Sequence, residues 1–291
     1  MKTVVFVTTP LGTGYALHIG AELEKLGFSF YTVKNFEVVK FFKSHSELNK
    51  ENVLICVRTA TPLDSEWILC LEDLEKKGFT VVNSPKVLRL TSHKLNCALF
   101  LQDKVPSPRS WGFAKGESIE DFYNSLPVGK YIAKPFMSLS QGAYVGIFHK
   151  SKDGIDEFKA AVDFIPEDIV LVQEFVDYKA LYRVIVINHK ALNYSFVDKP
   201  MADRWKVSVC LNDVTMEYVP NPDKELLELA EKTQELIGGN LNYIDLFEID
   251  DNGKKKYIVG EINTACSLFI HEKLSGKNIA AEIANGLKTL I

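Results

Sequence analysis

The sequence predicts an α/β domain built on an open, mostly parallel sheet over residues 1–90, followed by α+β domains over residues 91–170 and 171–291. Three observations predict it. Short apolar, β-rich runs alternate with helical spacings through the first 90 residues, the pattern of parallel strands joined by crossover helices. From about residue 130 the strands follow one another more closely, with helices flanking them. No repeat, low-complexity tract or disordered linker interrupts the 291 residues, a length sufficient to bury a sizeable core.

Thr3–Thr8 reads as the first strand, punctuated by Pro10-Leu11-Gly12-Thr13-Gly14. Leu17, Ala21, Leu23 and Leu26 recur at helical spacing over 15–26, Gly27 stops that helix, and Ser29–Val33 resumes a strand. The pattern recurs as a strand over 53–57, a helix over 65–77 ended by Gly78, and a strand over 80–83. A helix is expected over 92–102, broken by Val105-Pro106-Ser107-Pro108. Strands are expected over 131–135, 144–149, 169–175, 182–188, 191–197, 242–249 and 256–262. Helices are expected over 155–163, 225–237 and 278–287, the second strongly amphipathic.

Composition excludes several classes. Hydrophobic residues make up 46% and charged residues 25%, with a net charge of −4, so no general attraction to nucleic acid or an anionic membrane is expected. No run of 18 apolar residues suggests a membrane span, and the apolar stretch Met1–Val7 is too short for a secretory signal. The five cysteines, Cys56, Cys70, Cys97, Cys210 and Cys266, are odd in number and show no C-x-x-C spacing. They read as reduced thiols in a reducing compartment, the cytoplasm.

Gly12-Thr13-Gly14 resembles the start of a dinucleotide fingerprint, but Leu17 stands where its third glycine belongs. A plain βα turn is the better reading, although amides at such a helix start can meet an anionic substrate group. Neither a G-x-x-x-x-G-K-[ST] loop nor an H-E-x-x-H helix is present. Lys134-Pro135 ends a strand and the small-residue loop 136–142 follows; its amides, with Ser138, Ser140, Gln141 and Gly142, could donate to phosphate oxygens beside the lysine charge. A surface hairpin with a solvated lysine is the alternative. Backbone groups of Gln173-Glu174-Phe175-Val176, at another strand end, could read an adenine edge. Asp245 falls within one strand, and Glu261 and Asn263 lie two apart at the end of the next, so the latter pair shares a face. Hard oxygen ligands converging from neighbouring strands suit Mg²⁺ bound with nucleotide phosphates; a polar hairpin is the alternative.

Taken in order, these pieces resemble the ATP-grasp superfamily and, within it, the RimK-like carboxylate–amine ligases. Val82-Asn83-Ser84-Pro85 with Ser92-His93-Lys94 looks like that family's entry to its nucleotide-binding part. Val105-Pro106-Ser107-Pro108, Ile132-Ala133-Lys134-Pro135, the hinge 172–176, and Ile244-Asp245 with Glu261-Ile262-Asn263 match its later motifs. The resemblance implies that Lys94 and Lys134 contact ATP, that Gln173, Glu174 and Val176 frame adenine with Phe175 between them, and that Asp245, Glu261 and Asn263 hold two Mg²⁺, with Mn²⁺ as an alternative. Arg183 would lie near the phosphates or the acyl intermediate. Lys206 stands where the family usually has arginine, keeping the charge but losing the bidentate fork. Two further departures, Tyr182 in place of an acid and Thr264-Ala265-Cys266-Ser267 in place of a small residue, Pro and Gly, bear on substrate choice.

The implied chemistry joins a carboxylate to an amine through an acyl phosphate, the carboxylate carried by a small molecule, peptide or protein and the amine by an amino acid or other amine. A loop at 138–142 closing over that intermediate would keep water away. No His or Cys sits in a recognisable nucleophile setting by sequence spacing. A phosphotransferase and a non-catalytic nucleotide-binding regulator are the alternatives, and self-association into a homo-oligomer stays open.

Overall fold

The computed structural model describes residues 1–9, 12–58, 65–137, 144–151, 154–199 and 216–291. The expected loop residues Ser138, Ser140, Gln141 and Gly142, and Lys206, lie outside the described residues.

Three sheets organise the chain. The first joins β1 (Thr3–Thr8), β2 (Ser29–Lys34), β3 (Val53–Arg58) and β4 (Thr80–Val82) in the order β2-β1-β3-β4, all parallel. Helices α1 (Thr13–Lys25), α2 (Val38–Ser44) and α3 (Ser65–Lys76) make its connections. Every residue of β1 and β3 is buried, because both faces are covered. Val5, Val7, Ile55 and Val57 pack with Trp67, Ile68 and Leu71 of α3. Val4, Phe6, Leu54 and Cys56 turn to the other face, against Ala16, Ile19 and Leu23 of α1.

Beyond α4 (Pro85–Ser92) and α5 (Lys94–Leu101), the central sheet contains β5 (Ser110–Ala114), β6 (Gly129–Pro135), β7 (Gly146–Lys150) and β8 (Ile169–Glu174), ordered β5-β8-β6-β7 and antiparallel. Helices α6 (Ile119–Ser125) and α7 (Ile155–Asp163) supply Tyr123, Phe158, Ala161 and Val162 to its core. Strand β8 runs across residues 170 and 171, and all of it pairs within this sheet.

The third sheet has the order β11-β10-β9-β12-β13, from β9 (Tyr178–Ile187), β10 (Lys190–Asp198), β11 (Glu217–Pro220), β12 (Leu241–Asp251) and β13 (Lys254–Asn263). Period-two alternation splits its core. Val184, Val186, Ile244 and Leu246 face α8 (Lys224–Ile237) and α5, while Ile185, Ile187, Leu241 and Tyr243 face α1 and α10 (Ile279–Lys288). Helix α9 (Leu268–Ser275) precedes α10. The parallel domain is thus packed against the sheet that carries the acidic residues. Asn83 fastens the two: its Nδ2 donates to Leu241 O (2.7 Å), and its Oδ1 accepts from the amides of Asn240 (2.7 Å) and Leu241 (3.0 Å).

The helix expected over 92–102 is α5, which starts at Lys94; α4, a separate helix the periodicity did not show, ends at Ser92, with His93 between the two. Ser84 caps α4 by accepting from the Val87 amide at 3.4 Å, and Pro85 occupies its first turn.

Candidate active site

β12 and β13 pair antiparallel with Asp245 opposite Glu261, and the register shifts between Asp245 and Leu246. β12 also pairs with β9, which sets Asp245 opposite Arg183. This cross-strand placement produces a fork-to-fork ion pair. Arg183 Nε donates to Asp245 Oδ1 and Nη2 to Oδ2, both at 2.7 Å, and Asp245 is only 6% exposed. Asn263 Nδ2 donates to Asp245 Oδ2 at 3.2 Å. The structure therefore gathers Arg183, Asp245 and Asn263 at one place.

Glu261 turns to a second cation, Lys94, with Nζ 3.2 Å from Oε1. Lys94 opens α5, and α5 packs against β13. Burial works to raise the Glu261 carboxyl, but Lys94, then Lys134 and Arg183, hold it below the usual carboxylate range. Lys134, near the end of β6, donates to Gln173 Oε1 at 2.9 Å, and Gln173 Nε2 donates to Ser110 Oγ at 2.8 Å. Burial, then the neighbouring Lys94 charge, pulls the Lys134 ammonium down to about 8 against the pull of Glu261. Gln173 is buried, so its carboxamide is committed to orienting the lysine.

Lys94, Lys134, Gln173 and Glu261 line one cleft together with Leu171 and Val259. The cleft lies where the central sheet, α5 and β13 meet. Glu174, Phe175 and Val176 are not among the described residues that line it. Glu174 is engaged beside β5, its Oε2 accepting from the Arg109 amide at 3.3 Å. Phe175 receives the Lys130 ammonium over its ring at 3.7 Å.

Two carboxylates and a carboxamide are a donor set that fits a hard divalent cation. Arg183 and Lys94 meet the carboxylate oxygens in this structure, so a metal there would share them with those cations. Among the described residues, no group of three His, Cys, Asp or Glu side chains forms a metal cluster.

Sequence spacing missed two residues. Cys266 lies beside the ion pair: Arg183 Nη1 donates to its Sγ at 3.1 Å, and His271 Nδ1 lies 3.9 Å away. Burial pushes the Cys266 thiol up, but Arg183 and His271 outweigh it and bring it down to about 7. The arginine stands 83 residues away in sequence, so no local motif shows the pair. The second residue is Arg58, at the end of β3, whose Nη1 donates to Tyr243 OH at 3.1 Å. Polarity at the end of an otherwise apolar strand was its only sequence signal.

No family model matches the chain. Alpha-aminoadipate–LysW ligase LysX of Saccharolobus solfataricus is 24% identical over 251 residues, covering 83% of this chain and 85% of that protein. The ATP-grasp ligase PsnB, solved with a minimal precursor, Mg and ADP, superposes with a TM-score of 0.65 at 17% identity, over 98% of this chain and 96% of that one. The chain has the ATP-grasp fold. A RimK domain ATP-grasp protein from Sphaerobacter thermophilus superposes as well, with a TM-score of 0.64 at 16% identity over 97% and 98% of the two chains.

Proposed function

We propose that the protein is an ATP-dependent carboxylate–amine ligase that forms an amide through an acyl phosphate and releases ADP and phosphate. The observation that carries this reading is the cleft that gathers Lys94, Lys134, Gln173 and Glu261 beside the Arg183–Asp245 pair in an ATP-grasp fold. Two lysines and a glutamate at one cleft, with Asp245 opposite that glutamate on the neighbouring strand, match a polyphosphate bound with a divalent metal. LysX, similar along most of the chain, is by name a ligase of alpha-aminoadipate and LysW.

In the first step a substrate carboxylate oxygen attacks the γ-phosphorus of ATP, and the bond to the ADP oxygen breaks. In the second an amine nitrogen attacks the acyl carbon, phosphate leaves with the C–O bonding pair, and the nitrogen loses a proton. Lys94 and Lys134 hold phosphate oxygens, with Lys134 aimed by Gln173. The segment Gln173–Val176 frames adenine. Arg183 offsets charge on the acyl phosphate, and preorganised charge of this kind is a large part of enzymatic rate enhancement. Asp245, Glu261 and Asn263 would hold Mg²⁺, two ions in this reading with Mn²⁺ as an alternative, and the metal would neutralise phosphate charge. Ser138, Ser140, Gln141, Gly142 and Lys206 complete the phosphate grip on sequence grounds. The acid is carried by a small molecule, peptide or protein, and the amine by an amino acid or other amine. No helix among the described residues is long and apolar enough to cross a membrane, and we place the reaction in the cytoplasm.

The test is ADP release from a panel of acids with hydroxylamine as the amine. A hydroxamate that forms only with acid, ATP and Mg²⁺ supports the ligase. ATP-dependent phosphorylation of a hydroxyl compound, with no hydroxamate from any acid, overturns it in favour of a kinase.

A further inference from the structure

The guanidinium of Arg183 is held at three of its nitrogens. Asp245 takes Nε and Nη2, both at 2.7 Å, and Cys266 Sγ takes Nη1 at 3.1 Å. These are its hydrogen bonds among the described residues, and they leave one N–H on each terminal nitrogen for a substrate oxygen. The arginine comes from β9 and the cysteine from the loop after β13, so the contact reaches across β12, whose Asp245 holds the other edge.

Asp245 is not a dedicated anchor. It also accepts from Asn263 Nδ2 at 3.2 Å, and it belongs to the oxygen set that suits a hard divalent cation. A carboxylate that serves a metal loosens its hold on the arginine. The sulfur has no such second duty, because hard cations take oxygen ligands and leave a soft thiol aside.

Cys266 is itself fixed from several sides. Its carbonyl accepts from Arg58 Nη2 at 3.4 Å, and buried Arg58 also donates from Nη1 to Tyr243 OH at 3.1 Å. Ser267, next along, accepts at Oγ from Tyr15 OH of α1 at 3.0 Å, and its carbonyl meets His271 Nδ1 of α9. Leu268 begins α9 and is fully buried. The chain over residues 266–268 is thus tied to β3, α1 and α9, and the sulfur stands at a set place. His271 is its other neighbour, fully buried, with Nδ1 3.9 Å from Sγ and its ring against Phe196 at 4.3 Å between centroids. Burial raises the Cys266 thiol, and Arg183, first among its neighbours, draws it down; burial works to lower Arg183, and Asp245 and then Cys266 raise it. Arginine and sulfur therefore favour each other's charged forms.

We propose that Cys266 is a positioning residue: it holds Arg183 in the orientation that meets the acyl phosphate, and keeps it there while Asp245 serves a metal. The proposal rests on the ligase reading for the role of Arg183 and on the Arg183–Cys266 contact alone for the positioning.

The experiment compares wild type with Cys266→Ala, which removes the acceptor, and Cys266→Ser, which keeps one. In the first arm kcat and KM are read from ADP release with an acid and an amine that support turnover, beside ATP affinity by calorimetry and the thermal melt. A misplaced group at a reacting centre costs up to about a hundredfold, so Cys266→Ala should lose between about tenfold and about a hundredfold in kcat. ATP affinity and melting temperature should hold, and Cys266→Ser should recover most of the rate. Should Cys266→Ala fail to fold, Cys266→Val takes its place with the same expected loss. The second arm needs no turnover. Spectra of ¹⁵N-labelled guanidinium groups are recorded, with the Arg183 signals identified by their absence from Arg183→Gln. Wild type and Cys266→Ser should show the hydrogens on Arg183 Nη1 as separate, slowly rotating signals, and Cys266→Ala should show them averaged. Wild-type kcat in Cys266→Ala, or Arg183 signals in it like those of wild type, overturns the proposal. So does a parallel fall of kcat, ATP affinity and melting temperature in both variants, which marks a structural role. ADP release from no pair in wild type rejects the ligase reading, while the spectra still decide whether Cys266 holds Arg183.

Discussion

Lys134 gives a prediction with a pH signature. Its ammonium is drawn down to about 8 by burial and by Lys94, and Gln173 holds it at 2.9 Å. A lysine beside a nucleotide phosphate contributes through its charged form, which is lost as pH rises through that value. At pH 7 about nine-tenths of the side chain is charged and at pH 9 about one-tenth, so ATP affinity should fall about tenfold between them. Lys134→Ala removes one charge-assisted contact worth about 1.5–3 kcal/mol, which weakens ATP binding by about ten- to hundredfold at pH 7. It should also flatten the pH profile. Lys134→Arg keeps its charge throughout and should bind ATP with no slope between pH 7 and 9. Calorimetric titration at constant free Mg²⁺ reads all three proteins. Unchanged affinity in Lys134→Ala, or a tenfold slope that survives in it, would remove Lys134 from the nucleotide site.

Two further predictions concern the acidic cluster and its neighbours. Glu261→Gln keeps the shape but removes the charge that meets Lys94, so ADP release should fall below a hundredth of wild type while the thermal melt stays cooperative; near-normal turnover in the folded variant would dismiss Glu261 as a metal ligand. Cys266, at about 7, should be alkylated by iodoacetamide faster than Cys56 and Cys97, which burial pushes up to about 12. Its rate should drop as pH falls from 8 to 6, and Arg183→Gln should move that midpoint upward; peptide mapping that finds Cys266 no more reactive than the buried pair would contradict the Arg183–Cys266 contact.

The parallel domain was legible because its inner strands are apolar on both faces and bounded by Gly27 and Gly78, both of which adopt positive φ. The strands of the third sheet were legible through alternation, since Val184 and Val186 face one core and Ile185 and Ile187 the other. Short elements escaped. Helix α6 has seven residues, too few for a periodic signal, and is held by the Ser118 cap and by Tyr123 packing in the central core. Strand β5 is five residues long and carries Gly112, where a Cβ would stand 2.9 Å from Leu95. At the site, sequence order pointed to Asp245, Glu261 and Asn263 because hairpin register is a local property; the structure joins Asp245 to Asn263 and turns Glu261 to Lys94. It could not pair Lys134 with Gln173, 39 residues apart, or Arg58 with Tyr243, 185 apart. The first depends on which strands of the central sheet become neighbours and the second on how two sheets pack, and no spacing along the chain encodes either.

The acyl phosphate is tested most directly by isotope transfer. An acid that supports turnover is prepared with ¹⁸O in both carboxylate oxygens and incubated with ATP, Mg²⁺, the protein and the amine. Attack by the carboxylate on the γ-phosphorus leaves one of its oxygens on the phosphoryl group, so released phosphate should carry one ¹⁸O per turnover and the amide should keep the other. Phosphate without label, or label in AMP, would contradict an acyl-phosphate ligase.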